Sequence, residues 1–150
     1  MEQLAGYDLA IWGNLWDRVK WGSSLKARWK GDVAMGRDFS KVCSASKIIL
    51  NFIREQNGDA HNMRSFEVPA CRGFMLTTRT KEQCEFFEEG VEIACFDTLK
   101  ELRRKVDQYL SDEELRKKFS SAAYEKVQEH TYSERAKTIL DIYSDMRKEI

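Results

Sequence analysis

Proline occurs once in this chain, as Pro69, and glycine only eight times, so linker-like, collagen-like and low-complexity tracts are excluded. No apolar run approaches the ~20 residues that a membrane-spanning helix needs. The opening MEQLAGYDLA lacks the basic start and apolar core of a signal peptide, and the expectation is a cytoplasmic protein. Net charge is missing as well: 25 basic residues balance 25 acidic ones, so no overall field attracts nucleic acid or an anionic membrane. Any charged ligand must be held by a local constellation. The four cysteines, Cys43, Cys71, Cys84 and Cys95, include no CxxC pair, and only His61 and His130 could join them as soft ligands. Neither a metal site nor a disulfide is expected from such spacing, and Cys71 and Cys95, in or beside apolar runs, read as buried thiols. There is no GxGxxG after a strand, no GxxxxGK[ST], no HExxH and no GxSxG, so dinucleotide-fingerprint, P-loop, zincin and serine-hydrolase chemistry lack their signals.

What is present suffices for one domain over residues 1–150, with 42% hydrophobic residues to build its core. Residues 7–12 (YDLAIW) form an apolar run closed by the turn signal Gly13-Asn14 and read as a first strand. With the first strand of a parallel sheet so near Met1, further chain upstream is expected. Trp16, Trp21 and Trp29 then stand among Arg18, Lys20, Lys26, Arg28 and Lys30. Aromatic and basic residues together can stack on bases and hold phosphates. The patch is short and the chain neutral, so nucleic acid is not expected. Peripheral contact with a membrane surface, or packing of the tryptophans under a loop, stays open.

Residues 38–46 (DFSKVCSAS) predict a short helix with Phe39, Val42 and Cys43 inward, and residues 47–53 (KIILNFI) a second strand. The run Ile48-Ile49-Leu50 does not alternate, as expected of a strand covered on both faces. After the turn at Asn57-Gly58 comes a short helix, ended by Gly73 before a third strand over 74–78 (FMLTT). Thr80 and Gln83 have capping-box spacing and start a helix through about Glu89, which Gly90 ends before a fourth strand at 91–96 (VEIACF). Three further capping boxes follow: Thr98 with Glu101, Ser111 with Glu114, and Thr131 with Glu134. Their helices place Leu99, Leu102, Val106 and Leu110, then Leu115, Phe119, Ala122 and Ala123, then Ala136, Ile139, Leu140 and Tyr143 on single faces, which read as stripes covering the sheet. The fold class is α/β: an open parallel sheet with helices on both faces and a helical C-terminal tail.

Ligands of open parallel sheets bind beyond the carboxyl ends of the strands. The stretch 59–80 (DAHNMRSFEVPACRGFMLTTRT) holds such a rim loop, a helix start and a strand end. Amides at a helix start suit an anion such as a diphosphate, and Arg64 can add a charge-assisted contact. Glu67, an acceptor when ionised, can take two hydrogen bonds from neighbouring sugar hydroxyls. Thr78 and Arg79 end a strand at the same rim and are candidates for phosphate contact. Each has a plainer reading. Asn62 or Ser65 can be a helix cap, Arg64 a surface side chain paired with Asp59 or Glu67, and His61 a turn residue. Pro69 constrains where the helix begins, and a start near Ser65 is expected.

The series SKIILNF at 46–52, HNMRSFEVPACRGFMLTT at 61–78 and EEGVEIACFDTLKELRRKV at 88–106, with the closing YEKVQEHTYSERAKTIL, resembles the C-terminal half of GT-B glycosyltransferases. More narrowly it resembles group-1 transferases related to the spore maturation protein CgeB, over roughly residues 29–146. The resemblance implies a Rossmann-like domain that binds a UDP- or GDP-linked sugar, without a bound metal or other cofactor, and an N-terminal acceptor-binding domain that this chain lacks. The family's two acids separated by seven positions are matched by Asp59 and Glu67. By that match Glu67 binds the donor ribose, Asp59 faces the sugar or phosphates, and His61, Asn62, Met63, Arg64 and Ser65 line the diphosphate. Asp59 stands where glutamate is commoner and is one methylene shorter. The resemblance assigns no catalytic residue to this chain. Two other classes compete: a non-catalytic interaction domain shaped like a receiver, for which Asp97 is the one candidate aspartate and lacks neighbouring acids, and a surface-binding module using residues 16–30.

Overall fold

Parallel strands that read as unbroken apolar runs need cover on both faces, and this requirement organises the larger part of the fold. The computed structural model describes residues 4–14, 16–19, 22–32 and 34–148, and the chain divides into two compact units, Met1–Ala45 and Ser46–Ile150.

In the first unit, Leu4, Ile11 and Leu25 are buried. The expected strand at 7–12 is reduced to one parallel bridge between Ile11 and Trp29. Its partner segment emerges directly from a 3₁₀ turn at Lys26–Arg28, so the ladder has no room to lengthen. Around the bridge, the N–H of Ile11 donates to the Arg28 carbonyl (3.0 Å) and that of Lys30 to the Ile11 carbonyl (2.8 Å). The indole N–H of Trp29 donates to the Gly13 carbonyl at 3.1 Å, which sets this ring under a loop. Lys20 and Trp21 lie outside the described residues. Helix α1 (Gly36–Ala45) follows and turns Cys43 inward, as its periodicity predicts.

The second unit holds strands β1 (Ile49–Asn51), β2 (Met75–Thr78) and β3 (Ala94–Phe96) in spatial order β1-β2-β3. Ile49 pairs with Met75 and Leu76 with Ala94, and both ladders are parallel. The connections run through α2 (Arg64–Ala70) and α3 (Lys81–Phe86). Crossovers between parallel strands are almost always right-handed, so two in the same direction put both helices on one face, where Ser65 of α2 meets Gln83 of α3. Consecutive residues Met75, Leu76 and Thr77, and likewise Ala94, Cys95 and Phe96, are buried, so both faces are covered. β3 is shorter than the run 91–96 because Val91 and Glu92 belong to a turn. There the amides of residues 91–93 close onto the Glu88 carbonyl and Gly90 adopts φ +90°. The helix before it ends at Phe86 rather than Glu89, because the buried ring of Phe87 takes its backbone to an extended conformation.

Helix α2 begins at Arg64, one residue before the expected start, and carries Pro69 past its first turn. It stops at once, with the N–H of Gly73 on the Val68 carbonyl and that of Arg72 on the Pro69 carbonyl, the pattern of a Schellman motif. Arg72, not Gly73, takes the left-handed position, at φ 56°, and its guanidinium lies 3.6 Å from the ring centre of Tyr124, a stacking contact that offsets the cost.

Helices α4 (Leu99–Ser111) and α5 (Glu113–Val127) complete the core. Leu102, Val106 and Tyr109 of α4 are buried, whereas Leu99 is exposed. The rings of Phe74, Tyr109 and Phe119 meet with centroids 4.6 to 5.6 Å apart. The cap between the two helices is Asp112, whose Oδ1 accepts from Leu115 N–H at 2.8 Å; Ser111 ends α4 and bonds back to Gln108. Arg116 is buried and donates to the Tyr109 and Leu110 carbonyls, which satisfies the last turn of α4. Helix α6 (Tyr132–Lys148) is the C-terminal tail. Its stripe does not cover the sheet: Ile139, Leu140 and Tyr143 are 67%, 62% and 58% exposed, because α4 and α5 already supply the aromatic and aliphatic cover.

That difference is measurable. Leu102→Ala is expected to lower the unfolding free energy by about 2–5 kcal/mol, and Ile139→Ala to stay within about 0.5 kcal/mol of the parent, in urea denaturation followed by circular dichroism.

Candidate functional site

Because the strands are parallel, the loops after Asn51, Thr78 and Phe96 leave the sheet at one rim. The first of these carries Asp59 to Met63. Asn51, buried at the end of β1, exchanges two side-chain hydrogen bonds with Asn62 (2.9 and 3.2 Å), so the loop is tied to the strand it leaves. The carbonyl of Asp59 accepts from Glu82 N–H at 3.1 Å, and its exposed side chain lies beside an open depression of about 290 Å³ lined also by Ala60, Lys81, Glu82 and Glu85.

Glu82 is the residue that spacing could not find, being 21 positions from its partner His61. Its Oε2 lies 2.6 Å from His61 Nδ1 and accepts the His61 backbone N–H at 2.8 Å. An ionised carboxylate only accepts, so His61 Nδ1 carries a proton and donates it to Glu82. The hydrogen bonds from His61 hold the Glu82 carboxyl below the usual glutamate range. Edge-on aromatic contacts fix the imidazole further: its centroid lies 5.1 Å from Phe66 and 5.2 Å from Phe86. His130, from the turn before α6, packs on the same two rings at 5.3 and 5.4 Å. Desolvation first, then Arg135 and Lys126, lowers the pKa of His130.

Of the remaining residues singled out by the sequence, Arg64 and Glu67 form an ion pair at 2.7 Å on the first turn of α2, the plainer pairing named above. Met63 is exposed, and Ser65 is fully buried with its hydroxyl donating to Gln83 Oε1 at 2.8 Å. Neither Asn62 nor Ser65 caps the helix; the N-cap is Met63, without a side-chain cap bond. The amides of Ser65, Phe66 and Glu67 close onto the Asn62 and Met63 carbonyls. Thr78 Oγ1 accepts from Ile53 N–H at 3.3 Å. Arg79 meets Glu89 through two nitrogens (2.9 and 2.6 Å) and also Asp97, with Glu101 at 3.8 Å. The structure therefore gathers Asp59 through Glu67 around the first loop and α2. It places Arg79 in a separate acidic cluster, where burial and Glu89 push the Cys95 thiol up to about 12.

A parallel three-stranded sheet with this rim defines the class, a Rossmann-like α/β protein. The family described as glycosyl transferase-like matches residues 1–141, and the chain belongs to that family. Comparison with curated proteins gives no match, and neither does comparison with solved structures.

Two measurements test the local geometry. Gln83→Ala strands the buried hydroxyls of Ser65 and Thr77 and is expected to cost about 2–4 kcal/mol in denaturant unfolding. For Glu82 the folded pKa lies below the unfolded one, so its contribution is present above the ordinary glutamate range and lost as pH falls through the lowered value. Glu82→Gln should flatten that part of the stability profile, and superimposable acid limbs would refute the pair's role.

Proposed function

We propose that the chain is the donor-binding domain of a GT-B glycosyltransferase, binding a nucleoside-diphosphate sugar over the loop from Asp59 to Met63 and the first turn of α2. The observation that carries the reading is the family match over residues 1–141, taken together with a charged rim at the carboxyl ends of the strands. Glu67 accepts the ribose hydroxyls, and Arg64 beside it neutralises the diphosphate. Of the two rim cations, Arg64 is the one whose partner exchanges cheaply. The two guanidinium side chains are similarly exposed, 34% for Arg64 and 31% for Arg79, but Arg64 is paired with Glu67 whereas Arg79 faces three carboxylates, Glu89, Asp97 and Glu101. His61, oriented by Glu82, presents an imidazole to the same loop. Stabilising the departing nucleoside diphosphate electrostatically is then this domain's part of the reaction.

The amides of Ser65 to Glu67 are committed to the helix turn, so the anion is held mainly by side chains. Turnover calls for an acceptor-binding half on a further domain or chain. The CgeB-like relationship, a cytoplasmic location and peripheral membrane contact belong to the same reading. Among the described residues, no helix is long and apolar enough to cross a membrane.

Titration calorimetry with UDP, GDP and their sugars tests it. The expected dissociation constant is micromolar to millimolar, roughly 4–8 kcal/mol, and Glu67→Ala should weaken it about tenfold or more. A folded sample that binds no nucleoside diphosphate would overturn the donor-domain reading, and parental affinity in Glu67→Ala would overturn the ribose assignment alone.

A further inference from the structure

We propose that Cys84, Glu89 and Cys95 form a binding site for one thiophilic divalent cation of the zinc class, away from the nucleotide loop. Cys84 lies on α3, Glu89 in the turn that follows, and Cys95 at the middle of β3. Both Sγ atoms and a carboxylate oxygen of Glu89 lie within 4.8 Å of one another, the one such cluster of three or more found among the described residues. Tetrahedral zinc, with bonds of about 2.3 Å to sulfur and about 2.1 Å to oxygen, places its ligand atoms about 3.5–3.8 Å apart. A contraction of about 1 Å or a little more, within the reach of side-chain rotation, closes the triad. Cys95 is fully buried, while Cys84 and Glu89 are exposed, so the cluster is closed toward the sheet and open toward solvent, where water completes the coordination.

The surrounding charges fit a dication that displaces protons. Around the cluster, Glu89, Asp97 and Glu101 carry three negative charges, and Arg79 and Lys105 two positive ones, for a local sum of −1. On binding, two S–H bonds break heterolytically, two metal–sulfur bonds form and two protons leave to solvent. No electron is transferred. The added +2 is cancelled by the two thiolates, and the local sum stays at −1. Arg79 does not block Glu89: it takes one lone pair on each oxygen (2.9 and 2.6 Å), and a carboxylate has about four. Lys105 donates to the Cys95 carbonyl and lies 3.6 Å from Glu89, which holds the strand and the turn in register for the same ion. A bound metal would pin the turn between α3 and β3.

The test is titration of the full chain with Co(II), with a non-thiol reductant present, followed by displacement with Zn(II). The expected result is one equivalent of Co(II) bound, with thiolate-to-metal charge-transfer absorption and the intense visible bands of a tetrahedral site, both bleached by Zn(II). Cys84→Ser, at an exposed position that does not endanger folding, should weaken binding on the order of 100-fold, and Glu89→Gln about tenfold or more. Cys71→Ser should leave spectrum and affinity unchanged. The proposal is overturned if the folded chain shows no charge-transfer band. It is equally overturned if the band survives Cys84→Ser, or if reduced protein takes up no metal and the pair yields only a Cys84–Cys95 disulfide in air.

Discussion

The carboxamide of Gln83 is the interaction on which the larger unit depends. It is fully buried, yet its groups are matched: Oε1 accepts from Ser65 Oγ at 2.8 Å, and Nε2 donates to the Thr78 carbonyl at 2.8 Å and to Thr77 Oγ1 at 3.1 Å. Its backbone N–H meets the Thr80 cap at 3.3 Å. One side chain thereby joins α2, β2 and α3, and no buried side-chain polar atom among the described residues lacks a partner. A polar group in such a place is costly unless every bond is made, so the network tolerates few alternative arrangements. With α2 held in this way, the loop before it has a fixed exit, and Asn51 with Asn62 fixes its entry.

Charge is distributed by the same logic of local satisfaction. A chain with equal numbers of acids and bases has no field to spend at a distance, and its rim consists of closed pairs: His61 with Glu82, Arg64 with Glu67, and Arg79 with Glu89 and Asp97. Any anion that binds must exchange a partner. The cost of exchange ranks the candidates, lower at the pair on α2 and highest in the acidic cluster, where one guanidinium is shared among three carboxylates. This ranking separates the two proposed sites by place, the nucleotide site at the first loop and the cation site at the turn before β3.

Much of this was legible in the residues. Phe74 to Thr78 and the end of VEIACF announced buried parallel strands, Ile48 to Leu50 a parallel strand whose Ile49 and Leu50 are only half-buried at the sheet edge, and the boxes at Thr80, Thr98 and Thr131 marked helix starts that the structure reproduces. Local hydrogen bonds between residues three apart carry that information, so it survives in a one-dimensional reading. Where the reading failed, a distant competitor won. YDLAIW has strand composition but only a bridge to pair with, Asp112 outcompeted Ser111 for a cap, and the apolar stripe of α6 found its place on the sheet already taken by Phe119 and Tyr109.

The candidate site divides in the same way. Sequence by itself determined an α/β parallel fold, the rim position of residues 59–67 and a resemblance to glycosyltransferases, which the family match over residues 1–141 bears out at that level. Only tertiary structure decided that Glu82 holds His61, that Arg79 belongs to an acidic cluster, that Ser65 faces Gln83 and that Cys84, Glu89 and Cys95 meet. The reason is physical. Periodicity and capping are set by neighbours within one turn of chain, whereas these contacts join residues on separate elements, and their distances exist only once the sheet register has closed.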